Sequence, residues 1–179
     1  MASIFKYSFS ERLKLTKISR YLDGPPQTAT LDDHITATKR AIEKHPDEWV
    51  LYYFLADRLQ DAWQYAEAVP ICQKIVDLKP NDVRSPYILA TNYNMLTNAA
   101  YTPEQWNSLA QQYIDTKQIA DPDTCRSELT KLGIDIQTAA LQAIRWFERA
   151  LNLKSDNVST KQIRWDLEIL YKRFPDLKG

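Results

Sequence analysis

Glycine is nearly missing from this chain: 179 residues contain only Gly24, Gly133 and Gly179, with no two close together. A loop that cradles phosphate needs several unhindered backbone N–H groups in succession, so glycine-rich nucleotide-binding loops are disfavoured. A sheet protein built on many tight hairpins is disfavoured for the same reason. Cysteine is equally scarce, and Cys72 and Cys125 alone do not make the disulfide framework of a small secreted domain. Neither sign of charge prevails, since 23 Lys and Arg balance 23 Asp and Glu. That removes the general electrostatic case for a nucleic-acid or membrane surface partner. The longest apolar run, WVLYYFLA at 49–56, is far too short to span a bilayer. The start MASIFKYSF is a poor secretory signal, and a reducing cytoplasm is the expected location.

What is present reads as helix. A hydrophobic fraction of 44% suits a soluble domain with a real core. Abundant Ala, Leu, Gln, Glu and Lys with so little glycine favours an all-α fold. The chain also repeats itself. Pro46 and Pro80 lie thirty-four residues apart, and LYYFLAD at 51–57 falls on SPYILAT at 85–91, matching Tyr53 to Tyr87, Leu55 to Leu89 and Ala56 to Ala90. A looser copy, AIRWFERALNLKSDN, carries Ser155 where the proline would stand. Within a unit, Leu55, Ala56 and Leu59 share one helical face and Ala68, Cys72 and Ile75 another. QDAWQY at 60–65 leaves room for a turn between them, and Pro80 stops the second helix.

A helical hairpin repeated every thirty-four residues resembles the tetratricopeptide repeat. In the unit 49–82, Tyr52, Leu55, Ala56, Leu59, Ala68, Cys72, Ile75 and Pro80 stand at that family's signature positions. The resemblance implies antiparallel hairpins stacked as a short right-handed α-solenoid. A tail, helix and loop at 1–30 precede a repeat domain at 31–179, with repeats at 49–82, 83–116 and, after a seven-residue irregularity, 124–157. A C-terminal capping helix at 158–175 is expected to cover the stack with Ile163, Leu167, Leu170 and Phe174.

The resemblance also implies a concave groove that holds a protein or peptide. The residues expected to line it are Val50, Tyr53, Asp57, Gln60, Arg84, Tyr87, Thr91 and Asn94, with Tyr53 and Tyr87 stacked as neighbours along it. Surplus apolar residues at the two ends, Phe5, Tyr7, Phe9, Trp165 and Ile169, form a candidate terminal interface.

Chemistry is harder to find. His34 and His45 lack zinc-ligand spacing. Cys72 falls on a packing stripe. The pairs Asp32 with Asp33 and Asp121 with Asp123 fall at helix starts, where the helix dipole accounts for them. No nucleophile, base and orienting group assemble. The expectation is a non-catalytic adaptor or assembly subunit without metal or cofactor. The alternatives are a nucleic-acid-associated helical-repeat factor, drawing on Lys161, Arg145, Arg149 and Arg164, and a regulator whose groove senses a peptide or small ligand.

Overall fold

The computed structural model describes Tyr21 and residues 30–112, 120–153 and 160–178. All regular structure among them is helical. The elements are α1 (Leu31–Lys44), α2 (Trp49–Asp61), α3 (Tyr65–Leu78), α4 (Arg84–Leu96), a 3₁₀ turn (Thr97–Ala100), α5 (Pro103–Gln112), α6 (Pro122–Leu132), α7 (Ile136–Asn152) and α8 (Thr160–Arg173), with a last 3₁₀ turn at Pro175–Leu177.

Local chemistry sets the boundaries. Thr30 begins α1 with a capping box: its hydroxyl accepts from Asp33 N–H at 3.2 Å while its own N–H donates to the Asp33 carboxylate at 2.8 Å. Asp121 and Asp135 cap α6 and α7 through their carboxylates. Gly133, at φ 66°, takes the left-handed position that ends α6.

The thirty-four-residue period is written into the backbone as well. His45 and Lys79 each precede a proline and end a helix in nearly the same conformation, φ −136° ψ 65° and φ −137° ψ 63°. Each carbonyl then accepts from the N–H three residues on, at 3.1 Å in both cases. The residue before proline is pushed out of the helical region, which makes each X-Pro step a stop. Phe174, before Pro175, repeats the same conformation at φ −128° ψ 70°.

Between α2 and α3 the chain turns in three residues. Trp63 adopts a left-handed φ of 60°, and Gln64 N–H reaches back to Leu59 C=O at 2.9 Å. The antiparallel hairpin of α2 and α3 buries Leu55, Leu59 and Ala68 against Ile35 of α1, and Tyr52, Ala56, Cys72 and Ile75 against Leu89 of α4. Each helix from α1 to α4 thus packs on the next.

After α4 the order changes. The frame read from the sequence put α4 and the segment after it in one unit, 83–116, and helices 122–132 and 136–152 in another, 124–157. In the structure the most extensive helix–helix contact joins α4 to α7. Ala90 meets Ala143, Phe147 and Ala150 there. Helix α6 instead packs on the 3₁₀ turn, α3 and α4. Two helices that pack on one another are thus separated in the chain by the 3₁₀ turn, α5 and α6. The apolar side of this intervening segment, Ala99, Ala120, Cys125 and Leu129, closes on Tyr65, Leu96 and Ala139. The physical reason is that Ala143, Phe147 and Ala150 form one apolar face of α7, and this face is buried with Ala90 of α4 and Ile163, Leu167 and Leu170 of α8.

Helix α8 follows α7 and buries Ile163, Leu167 and Leu170 in the cluster around Phe147, with Phe174 packed beside them.

A polar contact also ties α6 to α3. The N-terminus of α3 has no side-chain cap of its own at Gln64. Glu128 of α6, buried, accepts from Ala66 N–H at 2.7 Å and from Lys131 Nζ at 2.5 Å. A carboxylate supplied from sixty-two residues away satisfies an orphan amide of that helix.

Candidate interaction site

The eight residues expected to line a groove lie on α2 and α4. Seven are partly exposed, but Val50 is buried among Ala41, Leu51 and Tyr21 and offers little surface. The two equivalent tyrosines do not stack on one another. Tyr53 sits edge-on to Trp49, with ring centroids 5.5 Å apart, and its hydroxyl lies 2.9 Å from Ser85 Oγ and 3.2 Å from Asp82 Oδ2. Burial pushes the Tyr53 phenol far above its ordinary range. Tyr87 tilts against Phe147 at 5.8 Å, and burial followed by the nearby Asp166 charge raises its phenol to about 12. Both tyrosines are thus neutral hydrogen-bonding groups at physiological pH.

Cations line this region. Lys79 Nζ stands 5.0 Å from the Trp49 ring centre, and the Arg84 guanidinium 5.9 Å from that of Tyr53. Arg84 Nε is 3.5 Å from Asp82 Oδ1. The α2 side is different: Arg58 pairs with Asp57 at 2.5 Å and with Asp61 at 3.1 Å. A bound segment would therefore meet aromatic faces, amides and a balanced set of charges.

Asp166 of α8 is the most perturbed acid described. Burial raises its carboxyl to about 6, and the Gln162 amide that donates to it at 3.1 Å offsets only part of that. Because the folded-state value exceeds the unfolded one, near 3.9, the native state holds this proton over the interval between them. Stability is expected to fall as pH rises from about 4 to about 6 and then level off in this contribution. Asp166→Asn should remove that component and be more stable than wild type at pH 7; matched urea titrations at the two ends of the interval measure it.

Of the terminal interface, Trp165 is the large apolar residue most open to solvent, 40% exposed, and Ile169 is half-buried. Phe5, Tyr7 and Phe9 lie outside the described residues. Asp33 and Asp121 serve as caps, and the hydrogen bonds they accept hold both carboxyls below the usual range. Both cysteines are buried. Burial raises the Cys72 thiol strongly and Cys125 to about 12, so each stays a protonated packing group. No group of three or more His, Cys, Asp or Glu that could hold a metal is found among the described residues. Among them, too, no helix is long and apolar enough to cross a membrane.

Sequence reasoning missed Glu128, Asp166 and Arg173. The first two are ordinary carboxylates whose burial depends on which helices meet. Arg173 closes a polar cluster with Thr97 and Tyr101, more than seventy residues away. The chain matches no protein-family model and no curated protein.

Proposed function

We propose that this chain is a non-catalytic adaptor or assembly subunit that holds another protein on the face shared by α2 and α4, in a short tetratricopeptide-like stack. The observation that carries the reading is the division of labour on those two helices. Leu55, Ala56, Leu89 and Ala90 are withdrawn from solvent, while Tyr53, Asp57 and Gln60 and their equivalents Tyr87, Thr91 and Asn94 stay partly exposed, as does Arg84. Side chains of this kind suit recognition of an extended or helical segment through hydrogen bonds and aromatic contact. The half-exposed Trp165 adds apolar surface at the C-terminal end.

The test is isolation of the intact chain under mild conditions together with whatever it holds, beside the double variant Asp57→Lys, Gln60→Ala. A specific partner, bound at least tenfold more weakly by the variant while helicity is unchanged, is the expected result. A monodisperse monomer without a partner, or equal retention by the variant, contradicts it.

A further inference from the structure

Cations that are taken out of water normally take an acid with them, because desolvating an unpaired charge is costly. Most arginines with described partners obey this: Arg58 has Asp57 and Asp61, Arg84 has Asp82, and Arg126 has Asp123. Arg173, at the end of α8, does not. It is half-buried, and burial depresses its guanidinium below the ordinary value. Its partners are neutral oxygens: Nη1 donates to Thr97 Oγ1 at 2.6 Å, and Nη2 donates to the Tyr101 hydroxyl. The Tyr101 ring lies under the same group, 4.4 Å from its central carbon. No carboxylate pairs with Arg173 among the described residues.

The surroundings add further donors, although Arg126 is already paired with Asp123. Arg126 Nη2 holds the Tyr101 carbonyl at 3.2 Å, which brings a second guanidinium to the same residue. Asn94, one turn back on α4, has its side-chain oxygen 3.5 Å from Thr97 Oγ1, and its amide NH₂ has no partner among the described residues. A guanidinium carries five N–H donors, and two bonds to neutral oxygens leave the rest unused. Arg173 as a residue is only half-buried.

We infer that Arg173, fixed by Thr97 and Tyr101 and flanked by Asn94, is a receptor for a carboxylate, an Asp or Glu side chain of the protein partner. The inference depends on the adaptor reading only for the source of that carboxylate. The receptor joins the segment between α4 and α7 to the terminal helix, so that segment would take part in recognition as well as in packing. A planar carboxylate matches the guanidinium fork, and such charge-assisted pairs are about twice as strong as neutral ones.

The experiment uses the full chain and a defined probe, N-acetyl-glutamate amide, with N-acetyl-glutamine amide as the neutral control. The Arg173 Nε–H signal in ¹⁵N–¹H spectra reports binding. A saturable shift with a Kd of about 1–10 mM is expected for the glutamate probe alone. Arg173→Gln should weaken it at least tenfold, with the indole signal of Trp106, whose ring centre lies 6.2 Å from that of Tyr101, as readout where the arginine signal is gone. Because that variant also loosens the end of α8, Tyr101→Phe serves as a second one. It keeps the cation and the ring but frees an N–H, so the probe should bind as tightly or more tightly. Binding that is non-saturable, equal for both probes or unchanged in Arg173→Gln overturns the assignment. Tighter binding of inorganic phosphate reassigns the site to a phosphoryl group and overturns it too. A partner that responds to the groove variant but not to Arg173→Gln leaves the adaptor reading standing and removes this one.

Discussion

Phe147→Ala is expected to cost about 3–5 kcal/mol of stability and to lower the thermal midpoint by roughly 10 °C or more. Phe147 is 1% exposed and meets Ala90 of α4, Ala143 and Ala150 of its own helix, and Ile163 and Leu167 of α8, with Tyr87 tilted against its ring. Three helices therefore face the cavity that truncation leaves, and none can collapse into it without pulling away from the other two. Amide exchange should accelerate in α4, α7 and α8 together. If α4 were unaffected while α6 became exposed, Phe147 would not sit where it is described. Phe147→Leu, which keeps most of the volume, is expected to lose far less, measured by the same melt.

Glu128→Ala is expected to cost roughly 1–3 kcal/mol even though it deletes one side chain from a short helix between α4 and α7. The carboxylate is buried and accepts from Ala66 N–H at the start of α3. Its loss leaves that amide unpaired beneath α6, where water reaches it poorly, and leaves Lys131 without its anion. The signature is location as well as size. Exchange at 65–68 should speed up alongside exchange in α6, although the two stretches are remote in sequence. Glu128→Gln keeps a neutral acceptor and should recover part of the loss. Protection at Ala66 that is unchanged in Glu128→Ala would show that the cap is not made.

Much of this fold is legible in the order of the residues alone. Prolines at 46 and 80 stop α1 and α3 because the preceding residue must leave the helical region, and His45 and Lys79 do so in the same way. The stripes of α2 and α3 follow from spacing. So does the covering face of α8. Pairing does not follow. Periodicity says that α4 and α7 each have an apolar face, but not that these faces meet across the segment between them. Constant spacing along the chain implies a frame with hairpins at 83–116 and 124–157. Packing obeys complementarity of faces instead, since loop closure over a longer segment adds little cost.

The exposure of the residues expected to line a groove is legible in part. Positions on α2 and α4 can be named from the repeat, and seven of eight are partly exposed. Val50 is taken up by contact with Ala41 and Tyr21, a neighbour that no repeat pattern specifies. Arg173 and Asp166 show the sharper limit. Their character comes from the acid or base that is missing beside them, and a missing neighbour leaves no mark in a sequence.

The pairing of α4 with α7 around the intervening segment underlies the proposed groove, the cap and the carboxylate receptor alike. Nuclear Overhauser contacts between ring protons of Tyr87 and Phe147 test it most directly, since the ring centres lie 5.8 Å apart. Strong cross-peaks between these two rings are expected. Cross-peaks from Phe147 to residues of 122–132 and none to Tyr87 would contradict the pairing.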